Sequence, residues 1–279
     1  MDFKSLAARN RAATVGLGLL IFVVAVALVG PGLVPHDPWE SFRPFLSPSS
    51  AHLLGTNDIG QDILSELIAG TRVSLLVGAL AGLFAVLLGL IVGLASGFKR
   101  GAVDHILMGL TDIVLVIPAL PLIILLAAYM GPSIWTAVLV IGVVFWPSTA
   151  RVVRSQVLTV RESGYVESAR ALGATDIWVV RRHVLPNVLP LVLAKFVLTV
   201  AAAMLMEASL SFLGLGDPMA KSWGMMLHYA FARGGFIQGL WWWYAPPGLA
   251  IGLSILALTL VGFGFESESD PRLKRALER

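Results

Sequence analysis

Two carboxylates, Asp112 and Glu207, interrupt long apolar runs of the sequence. An acid at membrane depth costs at least about 2.5 kcal/mol to insert, so it marks a partner, a cavity or a pathway. Asp112 lies near one end of its run and equally fits a bond to a neighbouring helix. Glu207 lies nearer the opposite surface and fits a cavity or a gate. Lys195 begins its run and suits a side chain that snorkels to the interface. Catalytic constellations do not appear. The histidines at 36, 52, 105, 183 and 228 contain no i, i+4 pair that would aim two imidazoles at one metal, so no metal site is expected. Gly214-Leu215-Gly216-Asp217 carries the Gly-x-Gly-Asp of an intramembrane aspartyl protease, but an acid dyad needs a second aspartate and no Tyr-Asp pair exists. Neither H-E-x-x-H nor G-x-S-x-G occurs, and the absence of any Gly-Lys pair excludes a phosphate-cradling P-loop. The chain is expected to be no enzyme and to hydrolyse no nucleotide.

The elements that must position these residues follow from composition. Of 279 residues, 57% are apolar and 13% charged, and the mean hydropathy is +0.84. Soluble domains carry about 25% charged residues, so this is an integral membrane protein. No cysteine is present, which excludes disulfides and thiolate metal sites. Six apolar runs reach the length of about 20 residues that a spanning helix needs: 12–34, 73–97, 105–129, 133–150, 188–213 and 245–265. They are continuous rather than alternating, which fits helices and not barrel strands. The first stays apolar past its Ala25-Val26-Ala27 and reads as an uncleaved anchor. Pro118 and Pro121 predict a kink in the third. Gly78, Gly82, Gly89, Gly93 and Gly97 form one face of the second, and Gly248 and Gly252 repeat the spacing in the sixth, as close helix contacts in lipid require.

Basic residues set the orientation. With the amino end inside, fifteen lysines and arginines fall on inner segments, against Arg43, Arg72, Lys221 and Arg233 outside. That asymmetry predicts both termini in the cytoplasm. The run Trp241 to Tyr244 then falls at the outer interface, which suits amphipathic rings.

The longest inner loop, 151–187, holds six arginines and reads as a shaped object. Thr159 and Glu162 have capping-box spacing for a first short helix. Tyr165, Val166, Ala169 and Leu172 give it an apolar stripe. Gly173 suits a left-handed C′ position. Thr175 caps a second short helix, with Asp176 in its first turn and Arg181, Arg182 and His183 in its last, each favourable to the helix dipole. Pro186 is expected to stop it before the fifth span. As a bare pattern the loop fits either an anionic lipid surface or a protein partner; its caps and glycine turn favour the partner.

Glu167-Ser168-Ala169, three residues, Gly173, nine residues and His183-Val184-Leu185-Pro186 resemble the EAA loop of ATP-binding-cassette importer permeases, whose pattern is Glu-Ala-Ala, three residues, Gly, nine residues, Ile, one residue, Leu-Pro. Ser168 and His183 depart from it mildly. Gly55, Thr56, Asp58, Gly60 and Asp62, followed by "RVSLLVG" at 72–78, are similar to the external signature of the dipeptide, oligopeptide and nickel branch, with Gln61 where that branch usually has arginine. "EASLSFLGLG" at 207–216, Ser222-Trp223-Gly224 and "DPRL" at 270–273 extend the likeness, closer to the C-type subunit than to its B-type sister.

The resemblance implies an all-α, six-span permease of type I architecture: an anchor and external segment at 1–70, a permease domain at 71–265 and a cytoplasmic tail at 266–279. Glu167, Ser168, Ala169, Arg170, Leu172, Gly173, His183, Leu185 and Pro186 would form the coupling loop that docks on a cytoplasmic ATPase. Asp112 and Glu207 stand as pathway or gate candidates. The implied partners are a homologous sister permease, one or two ATPase subunits holding ATP and Mg, an extracytoplasmic substrate-binding protein and membrane lipid, with no nucleic acid and no cofactor on this chain. The location would be a bacterial inner membrane. Short peptides are the first substrate expectation, with nickel, metal chelates and glutathione-like solutes as alternatives. A stand-alone secondary transporter would want internal repeats around broken helices; none is visible, and the loop would then lack a use.

Overall fold

The computed structural model describes residues 11–269. Lys4, Arg9, the "DPRL" stretch and the basic tail lie outside the described residues. The described chain is helical, with one isolated antiparallel bridge between Thr56 and Asp62. In order, α1 is Arg11–Val29, α2 Ile63–Lys99, α3 Gly101–Val116, α4 Ala119–Met130, α5 Ile134–Arg161, α6 Gly164–Ala171, α7 Asp176–Val179, α8 Leu185–Phe212, α9 Trp223–Ala232 and α10 Trp241–Ser269. Among the described residues, five continuous helices are long and apolar enough to cross a bilayer: those of α1, α2, α5, α7 running into α8, and α10.

The third expected span, 105–129, is not one helix. It is the pair α3 and α4, bent by 90°. Pro118 lacks an N–H and crowds the residue before it out of helical geometry, so Ile117 is extended at φ −78°, ψ 128°. The anticipated kink is a full break. At about 1.5 Å per residue neither half spans about 30 Å alone.

Because lipid tails are as apolar as the helices, close packing rather than hydrophobic drive holds the bundle. The glycine face of α2 is divided between two partners. Cβ atoms added at Gly89, Gly93 and Gly97 would come within 2.6–2.8 Å of the Cβ atoms of Thr149, Val153 and Val157 on α5. Gly82 meets Val200 of α8 in the same way, at 2.8 Å. Gly248 and Gly252 make no such approach within the chain: nothing among the described residues lies within 4 Å of either Cβ position, so of the two uses of this spacing, packing inside one subunit or between subunits, the first is not made here. Gly262 makes the close approach of α10 instead, with Leu198 Cδ2 2.5 Å from its Cβ position.

The run Trp241 to Tyr244 is not a uniform surface belt. Trp241 is exposed, whereas Trp243 is buried beside Ile63, Met204 and Trp223, and Tyr244 stacks on Phe236 at 4.2 Å. A second cluster, with Val77, Ile123, Ile141 and Leu210, joins α2, α4, α5 and α8. A third joins Phe98, Val153 and Val157 to Val166, Val179, Val184 and Val188 at the end where α5 turns into α6.

Candidate coupling elbow and pathway residues

The first short helix of the elbow is not capped as its sequence suggests. Thr159 lies inside α5, donating to the Ser155 carbonyl at 3.2 Å. The break comes at Glu162 and Ser163, and Ser163 takes the extended N-cap conformation, its Oγ donating back to Val160 O at 2.5 Å. Val166 is buried and Ala169 half-buried, but Tyr165 is half-exposed and Leu172 is 90% exposed. The stripe therefore rests on the bundle only at its middle.

The turn follows the expectation closely. Gly173 has φ +90°, its N–H bonds to Arg170 O at 2.9 Å, and Ala174 N–H bonds to Ala169 O at 3.0 Å. These are the two hydrogen bonds of a Schellman motif. Thr175 Oγ1 accepts from Trp178 N–H at 3.4 Å and caps α7.

Pro186 does not end the second helix. α7 continues through a π-turn, Val180–Val184, into α8. Leu185 N–H reaches Val180 O, five residues back, and the Asn187 side-chain amide donates to His183 O at 2.6 Å. A wider turn of this kind absorbs the hydrogen bond that a proline cannot make. Elbow and fifth span thus form one rod.

Three fastenings set the elbow's angle. Val166, Val179 and Val184 are fully buried in the third cluster. Arg161 and Arg170 lie 5.7 Å and 5.0 Å from the centre of the Phe98 ring at the end of α2. Arg170 also reaches Asp176 across the turn at 3.3 Å. The outward surface carries Tyr165, Leu172, Ile177 and Trp178, with His183 packed against Tyr165 and Trp178 at 5.5 Å and 5.1 Å between ring centres. Ser168 bonds Gly164 O at 2.8 Å. Glu167 is exposed, its N–H bonds Ser163 O at 3.1 Å, and its carboxylate has no hydrogen-bond or ion-pair partner among the described residues.

Of the two membrane acids, Asp112 is paired with Arg151 of α5 at 2.6 Å, both side chains being about 60% exposed (61% and 59%). Glu207 is 3% exposed. Its Oε1 accepts from Ser211 at 2.8 Å, while its buried Oε2, which shares a small cavity with Ser222, has no partner at hydrogen-bond distance among the described residues. A cavity of about 10 Å³ lies there, lined also by Ser133, Asp217 and Ser222, room for about one water. Neither acid lines the larger cavity of about 380 Å³ beside the break, where Ser148, Lys195 and Thr199 stand among apolar residues from Val114 to Ala202.

The signature residues fold into the segment between α1 and α2. Gly55 and Gly60 have φ of +70° and +85°. Thr56 Oγ1 donates to Arg43 O at 2.7 Å and accepts from Leu46 N–H at 2.9 Å. Asp62 caps α2, and Asp58 pairs with Arg233 at 2.8 Å. Lys221 binds both Gln61 and Glu66 and lies 4.2 Å from the Trp39 ring centre. A cation thus stands directly beside Gln61, on Lys221. Glu66, Lys221 and Arg233 carried no local signal of this role. Nor did Arg154, which grips Asp104, or Arg100, which pairs with Glu162. His36 and His52, sixteen residues apart, meet beside Asp62, a grouping that the missing helical spacing could not reveal.

Comparison with known proteins agrees with this architecture. Residues 85–275 match the model of the binding-protein-dependent transport system inner membrane component, and residues 8–52 match the N-terminal TM domain of oligopeptide transport permease C. The di/tripeptide transport system permease protein DppC of Pseudomonas aeruginosa is 37% identical, over 99% of this chain and 93% of that one. The dipeptide transport system permease protein DppC of Escherichia coli K12 is 40% identical, over 96% and 91%. The inward-facing MetNI methionine ABC transporter shares the fold, with a TM-score of 0.57 at 20% identity, covering 78% of this chain and 98% of that one. A multi-pass bundle with this elbow and these relatives belongs to the family of binding-protein-dependent transport system inner membrane components.

Proposed function

We propose that this chain is the permease subunit of an ATP-driven importer of di- and oligopeptides, in which the elbow carries the stroke of a separate ATPase into the bundle. The observation behind the coupling role is the continuity of α7 with α8: a push on the elbow's exposed apolar tip moves a spanning helix directly. Glu167 and Arg170 beside Leu172, Ile177 and Trp178 suit a partner groove with both apolar and charged parts. ATP and Mg would sit on that partner, and the present chain would be non-catalytic.

A homologous permease would supply the other half of the pathway, and a substrate-binding protein would deliver outside, above residues 36–62. The cavity beside the α3–α4 break is the section of pathway that this chain contributes, with Glu207 as a gate residue near its outer end. Both termini lie in the cytoplasm, and the functional division is an anchor with external segment (1–70), the permease domain (71–265) and a tail. Alternating access then needs two states of the bundle, which the ATPase and the binding protein contact differently.

The test is reconstitution. The chain should co-purify with an ATPase, and vesicles containing the whole complex should take up a dipeptide only with ATP inside and the binding protein outside. Uptake by the chain alone would sink the reading. Orientation is tested separately, because the chain lacks cysteine: in intact cells, Ser47→Cys should react with an impermeant maleimide and Ser168→Cys should not.

A further inference from the structure

We propose that His36, His52 and Asp62 form a divalent-cation site of the zinc class, clasping the segment between α1 and α2 to the start of α2. Each contributes one donor atom, and the three donors lie within 4.8 Å of one another. Two imidazoles and a carboxylate are a common protein ligand set for zinc, with a fourth position left to water. In a tetrahedral site with bonds of about 2.0–2.1 Å the donors stand about 3.3 Å apart. His52 Nδ1 and Asp62 Oδ2, at 2.9 Å, are nearly placed. The widest pair has about 1.5 Å to close, a movement available to His36, which is less buried than the other two.

The supporting shell is already arranged. Asp62 uses Oδ1 to accept from Ser65 N–H and Ser65 Oγ, both at 2.9 Å, which fixes the carboxylate and leaves Oδ2 facing His52. His36 is tied to the same serine, its backbone N–H reaching Ser65 Oγ at 3.3 Å. The ring of His36 bonds the Ala51 carbonyl through Nε2 at 3.0 Å. A carbonyl only accepts, so that nitrogen carries the proton and Nδ1 keeps its lone pair. Second-shell carbonyls fix metal-binding imidazoles in the same manner. Phe42 stands 5.0 Å and 4.8 Å from the two imidazole centres and walls one side with apolar surface. Zinc at Nδ1 would take His52 as the tautomer protonated on Nε2, so the Nδ1 proton that faces Asp62 would pass to solvent while Nε2 takes one up.

Without a cation, the same residues make a histidine–aspartate bond that helps to cap α2. The two readings separate in one set of measurements. The full-length chain, purified in detergent through a tag free of histidine and treated with EDTA, is titrated calorimetrically with zinc chloride. It is also titrated with cobalt chloride, whose visible absorption reports coordination. Zinc should saturate at one per chain and raise the melting temperature, and cobalt should give the intense bands of a four- or five-coordinate site.

His36→Ala and His52→Ala should abolish both signals, and His105→Ala should leave them intact. Asp62→Asn keeps a good capping side chain, so it should lose the metal while keeping the fold. Ser65→Ala should weaken zinc by about 10–100-fold. Absence of saturable zinc in the wild-type chain would overturn the proposal. So would a cobalt spectrum that His36→Ala and Asp62→Asn leave unchanged. Neither result bears on which solute the importer carries.

Discussion

Arg154 of α5 grips Asp104 of α3 through two parallel N–H···O bonds of 2.6 Å, Nε to Oδ1 and Nη2 to Oδ2. Ser96 of α2 donates to the same carboxylate, so one side chain joins three helices. Beyond this fork and the exposed Asp112–Arg151 pair, α3 has little to hold it, since Thr111 is its one buried residue. The fork geometry is specific to arginine. Arg154→Lys should therefore release α3 nearly as fully as Arg154→Ala, each lowering stability by about 1–3 kcal/mol. Thermal melts of the purified chain measure this, and a double-mutant cycle with Asp104→Ala should return a coupling of about 1 kcal/mol or more. Additive losses would show that the pair does not hold α3.

Lys221 and Glu66 form the corresponding fastening at the other end of α2. Their side chains are 13% and 5% exposed, and Asn57 adds a bond to Glu66 Oε2 at 3.0 Å. Removing one member of a buried pair leaves the other charge uncompensated and costs about 3–5 kcal/mol, whereas replacing both by neutral groups costs much less. Lys221→Met should thus destabilise strongly, and adding Glu66→Gln should recover most of the loss. Backbone amides of residues 57–66 should exchange faster in Lys221→Met than in the double variant. Equal exchange would show that the pair does not hold the segment.

These two pairs mark the limit of what the sequence could disclose. The Gly173 turn and the Thr175 cap were legible because their hydrogen bonds close within a few residues, where local rules apply. Arg154 and Asp104 are 50 residues apart, Lys221 and Glu66 155, and Asp58 and Arg233 175; no spacing rule joins such partners. The Thr159 capping pattern failed for a different reason. A cap signal competes with helix continuation, and α5 continues to Arg161, with Val153, Val157 and Val160 still buried. Pro186 misled similarly, because a π-turn offers proline an alternative to ending a helix. The broken third span was half legible: Pro118 and Pro121 announced a kink, but its 90° angle depends on tertiary packing.

Glu207 offers a cleaner test of the pathway than Asp112. Asp112 is exposed and paired, and surface pairs contribute about 0–1 kcal/mol, so Asp112→Asn should leave uptake within about twofold of wild type. Glu207→Gln keeps the shape and the acceptor for Ser211 but removes the ionisable group beside the small cavity. Uptake in reconstituted vesicles should fall at least about tenfold, with expression and melting temperature close to wild type. Wild-type uptake by Glu207→Gln would remove the carboxylate from the gate.

Gly173 gives the sharpest test of the elbow, because nothing lies within 4 Å of where its Cβ would be. A substitution there meets no neighbour, so its effect comes through the backbone alone. At φ +90° any side chain costs about 1–2 kcal/mol, a β-branched one more, and asparagine less. That strain cannot unfold a bundle held by its spanning helices. It can reshape the turn between α6 and α7 and shift the exposed tip of Tyr165, Leu172, Ile177 and Trp178 relative to the rod that continues into α8. Gly173→Val should assemble with its partners yet lose substrate-stimulated ATP hydrolysis and transport together, while Gly173→Asn retains most of both. Glu167→Lys should give the same loss by another route, since the Glu167 carboxylate is exposed, has no partner among the described residues and stands beside a surface rich in arginine. Both activities are measured in vesicles containing the complete complex. Normal coupled transport by Gly173→Val would show that the turn does not transmit the stroke, and the coupling role of the elbow would fall with it.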